Sequence, residues 1–458
     1  MAGPDRGHLL GRLVARLPAR PAAKPCDRTV VGAVRHDPAG HPDRHRPLAP
    51  FLPAARTDLG AGCDRPPPSG RGDGMTAIAG DTRQNRAIQV LRGLAALLVV
   101  IGHAIHETQV MGTVLARPPI DGSFLRWGSG VDIFFVISGF IMVYSSTQLF
   151  QRPGGWRSFL WRRFVRIVPL YWLLTTLLLL GALVAPQLLN VPIGDWQHVL
   201  SSYLFIPSLR APGEIRPVMA LGWTLNLEMF FYVLFACTLV LPMRRAVLAL
   251  TAGLAVLAGI GLAYEPSQVQ LAFWTQSIIL EFAFGCLLAL GYLAGWRLGA
   301  MPALLLALIG FAGLLQWPGL LDWPVPDALR WGVPALMIVA AAALYRNPAD
   351  AQGSASRLAG MAVLLGNASY SLYLVHPFVL RPLRNLWTQL IGGALPLTVY
   401  VAVATATSCL VALMVYRYVE QPLLRSMQGR RRQGGPSLAP DRRSASPLPA
   451  QRSLRTTT

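Results

Sequence analysis

Ten apolar stretches divide the central part of this 458-residue chain, and each has between 16 and 23 residues. An α-helix needs about 20 residues to cross a hydrocarbon core of about 30 Å, so each stretch is a candidate membrane span. Hydrophobic residues make up 53% of the chain and charged residues only 14%, which excludes an ordinary soluble domain. We therefore predict an all-α fold, a polytopic membrane helical bundle of about ten transmembrane helices. The stretches are residues 88–106, 129–146, 165–185, 223–241, 246–264, 271–293, 301–317, 331–346, 361–380 and 394–416.

The arginines between these stretches predict the orientation of the bundle. Seventeen arginines fall on one side and seven on the other when the ten stretches are taken as alternating spans. Arginine-rich loops stay in the cytoplasm, and an even number of spans places both ends on one side. Both termini are therefore expected to be cytoplasmic. The semi-apolar residues 196–208 are too short for a span and predict an interfacial or re-entrant piece.

The two ends of the chain differ in composition from its centre. Residues 1–84 are rich in Arg and Pro and lack sustained periodicity, so we predict a disordered segment. Met75 opens a compact leader directly before the first span, which suggests a true start there and an upstream extension before it. Residues 85–427 form the predicted membrane domain, and 428–458 a disordered basic tail. More than half of the net charge of +20 lies in residues 1–74 and 428–458, so it gives little support to a nucleic-acid partner.

The first apolar stretch carries an arginine and a histidine. Eleven helical steps of about 100° bring Arg92 and His103 to the same helix face, roughly 16 Å apart along the axis. Ionisable groups in a bilayer are costly unless they face a protein interior or a watery cavity. We therefore expect both residues to line one internal path.

A cationic cluster is predicted on the cytoplasmic side. Arg162, Arg163 and Arg166 precede the third span on the side where Arg92 lies. The planar guanidinium fork suits phosphate groups, so a phosphorylated cytosolic ligand could dock there. The alternative is that these arginines only anchor the topology and meet anionic lipid.

A second set of ionisable residues is predicted nearer the outer side, at similar depth in four spans: His103, Asp132, Glu228 and His376. A histidine beside a carboxylate is the usual arrangement for a general base. A packed core histidine is the alternative. Glu281 lies within the sixth stretch and needs a partner that the sequence does not identify. The five cysteines have no metal-ligand spacing, and no metal is expected.

Taken in order, the motifs resemble those of the integral-membrane acyltransferase-3 family, over roughly residues 85–427. Within the family, the first two motifs look most like those of the exopolysaccharide-production acetyltransferases. The motifs are Arg92-Gly93 with ten residues between Arg92 and His103, Gly130 to Phe140, Arg162-Arg163 with Arg166, Pro169 and Tyr171-Trp172, Trp223 to Glu228, Ser369 to Pro377, and Glu420-Gln421-Pro422.

The resemblance implies an O-acyltransferase of the bacterial inner membrane. Acyl-CoA, usually acetyl-CoA, would be the co-substrate, with no tightly bound cofactor, and the acceptor would be a hydroxyl of an extracellular or lipid-linked polysaccharide. Direct attack by a hydroxyl deprotonated by His103 is favoured over an acyl-enzyme, which stays open. The roles implied are catalytic for His103, Arg92, Asp132 and Glu228, acyl-CoA binding for Arg162, Arg163 and Arg166, and substrate binding for His376, Tyr373 and Trp223.

Two rival functions remain open at this point. A transporter or flippase could use the same ionisable residues as a relay, although no clear internal repeat supports it. A non-catalytic component of a polysaccharide export machine would leave Arg92 and His103 unexplained. Some members of the family that the motifs resemble carry a soluble domain after the last span. A scheme in which a separate partner protein takes the place of that domain therefore also stays open.

Overall fold

The computed structural model describes residues 73–184, 193–210, 213–316, 325–346 and 357–433. The first helix begins at Asp73, within the segment for which disorder was predicted. Residues 1–72 and 434–458, which hold the rest of the two predicted tails, lie outside the described residues.

Fourteen α-helices and one short hairpin make up the described part of the chain. The strands β1 (Leu209–Arg210) and β2 (Glu214–Ile215) pair antiparallel, with Leu209 opposite Ile215. The helices are α1 (Asp73–Leu115), α2 (Ser129–Tyr144), α3 (Gly155–Val184), α4 (Trp196–Tyr203), α5 (Trp223–Thr238), α6 (Met243–Tyr264), α7 (Val269–Trp274), α8 (Leu280–Leu293), α9 (Ala300–Leu314), α10 (Val333–Leu344), α11 (Arg357–Asn367), α12 (Ser369–Leu390), α13 (Leu397–Val415) and α14 (Gln421–Gln433).

Each of the ten predicted apolar stretches contains a helix, and the mostly helical fold is confirmed. Among the described residues, five helical stretches are long and apolar enough to cross a membrane: Arg86–Leu115, Gly155–Val184, Ala220–Thr238, Met243–Tyr264 and Leu397–Met427. A sixth candidate is the pair of α11 and α12, which bends by 74°. Four apolar helical stretches are shorter, Ser129–Tyr144, Ser277–Leu293, Ala300–Leu314 and Ala328–Leu344. The total of about ten spans and the cytoplasmic termini stay predictions.

The structure differs from the predicted segments mainly where helices break or extend. α3 starts ten residues before the predicted stretch, so its arginines lie inside the helix. The ninth stretch is not one straight helix, because the chain bends at Ala368 between α11 and α12. π-helical turns precede α10 at Ala328–Gly332 and follow α13 at Tyr416–Glu420.

Glycines let the central helices approach closely. A Cβ at Gly139 of α2 would lie 2.1 Å from the carbonyl oxygen of Phe282, and one at Gly285 of α8 would lie 2.0 Å from that of Val136. Small residues at helix crossings are the usual means of close packing in membrane bundles. The pair α2–α8 is therefore fixed backbone to backbone.

Helix α4, in the described part of the chain between α3 and α5, packs against α3. The Tyr171 hydroxyl of α3 donates to the Ser202 carbonyl oxygen at 3.1 Å, and the Val218 N–H donates to the Ser202 hydroxyl at 2.9 Å. In α4, the buried His198 ring pairs with the Ser208 hydroxyl at 3.0 Å. Burial and the charge of Arg210 lower the pKa of His198. The predicted piece at residues 196–208 thus contains the packed helix α4, and the hairpin follows it, whereas its interfacial or re-entrant location stays a prediction.

The close α2–α8 crossing predicts a sharp response to one methyl group. Gly139→Ala places a Cβ against a backbone oxygen that cannot move away independently, so we expect a lower unfolding temperature of the purified protein in detergent. Gly253→Ala in α6 is the matched control, because nothing lies within 4 Å of its added Cβ and alanine favours a helix by about 1 kcal/mol. Equal unfolding temperatures for Gly139→Ala and the wild type would contradict the crossing.

Candidate active site

A cavity between α1, α2, α3, α5 and α12 gathers half of the predicted site residues. It holds about 800 Å³ of empty space, part of it open to the surface. One wall is apolar and comes from α2, with Phe134 and Ile137 among its residues. Its polar lining consists of Arg92, Ser138, Arg163, Arg166, Thr224, Glu228, Tyr232, Ser369, Tyr370 and Tyr373.

Three guanidinium groups face this cavity. Arg163 and Arg166 are three residues apart on α3 and therefore lie on one helix face. Arg92, half-buried on α1, interacts electrostatically with Arg166, Glu228 and Glu420. The three positive charges face two carboxylates, which leaves a cationic cavity suited to an anionic ligand.

Aromatic rings and one carboxylate hold the α3 arginines. The Arg166 guanidinium donates to Glu420 at 2.5 Å and lies 5.9 Å from the ring centre of Tyr370. Arg163 lies 6.0 Å from the ring centre of Tyr232 and donates to Ser145 at 3.2 Å. The guanidinium positions are thus set before a ligand arrives.

Glu228 is anchored by two hydroxyl donors. Its Oε1 accepts hydrogen bonds from Ser138 of α2 at 2.9 Å and from Tyr232 one turn along α5. Glu228 therefore belongs to the arginine cavity. It was predicted beside His103, but its hydrogen bonds join α5 to α2 instead.

A line of rings connects the cavity with the histidines. Tyr373 lines the cavity and its hydroxyl bonds the Thr224 hydroxyl at 3.0 Å. Its ring centre lies 6.3 Å from that of His376, and His376 lies 5.0 Å from His103. The structure thus brings together Tyr373, His376 and His103, which the sequence predicted as parts of one site.

Backbone carbonyl groups fix the form of both histidines. His103 Nδ1 lies 2.9 Å from the Val99 carbonyl oxygen, and His376 Nδ1 lies 3.0 Å from that of Leu372. A carbonyl oxygen can only accept, so each Nδ1 carries the hydrogen, and Nε2 of the neutral ring then has the lone pair. The carboxylate predicted to orient His103 is replaced in this role by the helix backbone. His103 is exposed, whereas His376 is fully buried.

Trp223 lies under Arg216, an arginine that the sequence analysis did not single out. The Arg216 guanidinium lies 5.5 Å from the Trp223 ring centre and interacts electrostatically with His103 and Tyr373. Arg216 comes from the strand-to-helix connection, so only the tertiary structure reveals its neighbours.

Two predicted site residues belong neither to the cavity lining nor to the contacts around the histidines. Arg162 is exposed on α3, because it lies on a different helix face from Arg163 and Arg166. Asp132 is buried and pairs with Arg126 at 3.7 Å, and its carboxyl group meets that of Glu281. Neither residue touches His103 in any contact of the described residues.

The family comparison agrees with these motifs. Residues 85–417 match the family model of the acyltransferase domain. The chain therefore belongs to the acyltransferase-3 family, a family of membrane proteins, and is an O-acyltransferase enzyme. The resemblance seen in the ordered motifs is confirmed.

Three curated relatives match much of the chain. The exopolysaccharide production protein ExoZ of Rhizobium meliloti is 36% identical over 318 residues, which is 67% of this chain and 93% of the relative. The acyltransferase MdmB of Streptomyces mycarofaciens is 29% identical over 75% of this chain and 92% of its own length. The peptidoglycan O-acetyltransferase OatA of Listeria monocytogenes is 22% identical over 75% of this chain and 57% of its own length. No solved structure gives a significant match.

The Arg166–Glu420 pair predicts a large cost for losing one partner. Glu420→Ala leaves the Arg166 guanidinium without its carboxylate and should lower the free energy of unfolding by about 3 kcal/mol, since Glu420 is only 2% exposed. The pair of Arg210 and the exposed Glu214 is the control, and Glu214→Ala should change the free energy of unfolding by less than about 1 kcal/mol. Denaturant unfolding measures both. If the free energy of unfolding fell by similar amounts in the two variants, the Arg166–Glu420 pair would contribute no more to stability than the Arg210–Glu214 pair.

Proposed function

We propose that this enzyme transfers an acyl group, namely acetyl, from cytosolic acyl-CoA to a hydroxyl of an extracellular or lipid-linked polysaccharide. The proposed location is the bacterial inner membrane. The observation that carries the proposal is the arginine cavity joined through Tyr373 and His376 to the exposed His103. Relatives named for exopolysaccharide production and peptidoglycan O-acetylation support the choice of acceptor.

The proposed acyl-CoA site is the arginine cavity. The phosphate groups of CoA would bind Arg92, Arg163 and Arg166, because guanidinium groups bind phosphate through paired, charge-assisted hydrogen bonds. The acyl-bearing arm would follow the wall past Tyr373 towards the histidines. Glu228 limits the net positive charge and holds α2 and α5 together around the ligand.

The proposed chemistry is a direct transfer. His103 Nε2 takes the proton of the acceptor hydroxyl, and the resulting oxygen nucleophile attacks the thioester carbonyl carbon. A carbon–oxygen bond forms, the carbon–sulfur bond breaks, and the proton passes from His103 to the leaving CoA thiolate. His376 packs against His103 and keeps its ring in place. Arg216 and Trp223 would contact the acceptor beside His103.

The first test measures transfer of labelled acetyl from acetyl-CoA into the glycan fraction of membranes. Loss of a general base costs about 10²–10⁴-fold, so His103→Ala should nearly abolish the label at matched expression. His106→Ala, an exposed histidine less than one turn away on α1, is the control and should keep most of the activity. Label that survives His103→Ala would remove His103 from the mechanism. Absence of label with the wild type would favour a transporter or a missing partner.

The arginine cavity predicts a difference between two neighbouring arginines. Arg166→Ala and Arg92→Ala remove charges that face the cavity and should raise the KM for acetyl-CoA by at least about tenfold, as expected for a lost charge-assisted pair. Arg162→Ala removes an exposed charge outside the lining and should change KM little. Equal effects at Arg162 and Arg166 would contradict the cavity as the acyl-CoA site.

A further inference from the structure

Two buried carboxyl groups meet between α2 and α8, away from the arginine cavity. Asp132 is 1% exposed and Glu281 is fully buried. Their carboxyl groups lie within hydrogen-bonding reach of each other. Glu281 is the residue for which the sequence offered no partner, and the structure supplies one.

The surroundings of this pair supply little compensating charge. Both oxygens of Glu281 and Oδ2 of Asp132 are buried and have no conventional hydrogen-bond donor. Arg126 approaches Asp132 at 3.7 Å and rests 4.5 Å from the ring centre of Trp331. The exposed Asp327 adds a further negative charge nearby. Arg126 is therefore the positive charge seen to face these two carboxyl groups among the residues that the structure describes.

The pair has no room to separate. A Cβ at Gly332, in the turn before α10, would lie 2.7 Å from Cγ of Glu281. The glycine crossing at Gly139 and Gly285 holds α2 and α8 together one to two turns farther along. Two ionised carboxylates held in contact repel strongly in a low-dielectric interior, and here both Glu281 oxygens and Oδ2 of Asp132 lack a donor. A single proton between them removes both costs.

We propose that Asp132 and Glu281 share one proton and act as a positioning pair for the cavity wall. Glu281 carries the proton and donates to Asp132, and Asp132 remains the anion that faces Arg126. This hydrogen bond fixes α2 against α8. α2 also presents Phe134 and Ser138 to the cavity. Asp132 then positions the site without touching substrate. The protonation is independent of the proposed donor and acceptor, and only the effect on transfer rests on them.

The test uses an amide that mimics the protonated acid. Glu281→Gln keeps a donor for Asp132 and cannot ionise, so acetyl transfer and the unfolding temperature should stay near the wild type, within about twofold for the rate. Glu281→Leu removes the donor and leaves the buried Asp132 carboxylate with only the 3.7 Å contact to Arg126, so transfer should fall by at least about tenfold and the protein should unfold at lower temperature. Equal losses in both variants would overturn the shared proton.

Infrared spectroscopy gives a direct reading at neutral pH. The wild type should show the carbonyl stretch of a buried protonated carboxylic acid, and this band should disappear in Glu281→Gln. Glu265→Gln, which changes an exposed glutamate at the end of α6, should leave the band unchanged.

A further variant keeps the test decisive if Glu281→Gln fails to fold. Asp132→Asn should then shift the frequency of the same band, because it replaces the carboxylate that accepts the hydrogen bond from the protonated Glu281. A wild type without the band, or a band that neither variant alters, would overturn the proposal. These readings hold even where no acetyl transfer is detected, so a failure of the proposed function is recognised separately.

Discussion

Charged side chains inside an apolar helical bundle require partners from other helices, and this requirement organises the whole site. Arg166 on α3 finds Glu420, which lies 254 residues later in the turn after α13. The second oxygen of Glu420 accepts from Ser371 of α12 at 2.6 Å. One carboxylate thus connects three distant parts of the chain. Arg166, whose guanidinium adds positive charge to the cavity, therefore also links α3 through Glu420 to α12 and to the turn after α13.

Close helix crossings decide which charges meet. A Cβ at Gly366 of α11 would lie 1.8 Å from the Gln89 carbonyl oxygen, one turn before Arg92. A Cβ at Gly130 of α2 would lie 2.3 Å from the Ala95 carbonyl oxygen, one turn after it. α1 is therefore held on two sides around Arg92. With the helix fixed there, the eleven residues to His103 determine how far the histidine lies from the cavity.

The sequence predicts well whatever depends on one helix alone. Apolar length locates the ten helical segments, and the helical repeat places Arg92 and His103 on one face. Pairing across helices is different, because it depends on crossing positions that a single sequence does not encode locally. Asp132 and Glu228 both follow apolar patterns at a similar depth, yet Asp132 meets Glu281 whereas Glu228 meets Ser138 and Tyr232.

For other site residues, the spacing along the sequence does not reveal which side chain is the interaction partner. Glu420 belongs to one of the motifs that resemble those of the family, but nothing near it in the sequence identifies Arg166 as its partner. Arg216 belongs to a connection without periodicity, so its place above Trp223 follows only from the packing of that segment. The exposure of Arg162 could have been foreseen, because residues next to each other on a helix point about 100° apart.

The backbone partner of His103 has a chemical consequence that a carboxylate partner would not have. A carboxylate stabilises the imidazolium ion and therefore retains the proton on the ring. The Val99 carbonyl group orients the ring by accepting from Nδ1 without adding a full negative charge. The buried His376 packs beside the His103 ring and, being an imidazole, brings no carboxylate to it. In the proposed transfer, His103 must take a proton from a hydroxyl and then release it to a thiolate. A neutral imidazole oriented by the backbone suits this role. It is positioned to accept the proton, and no carboxylate stabilises the imidazolium ion against releasing the proton to the thiolate.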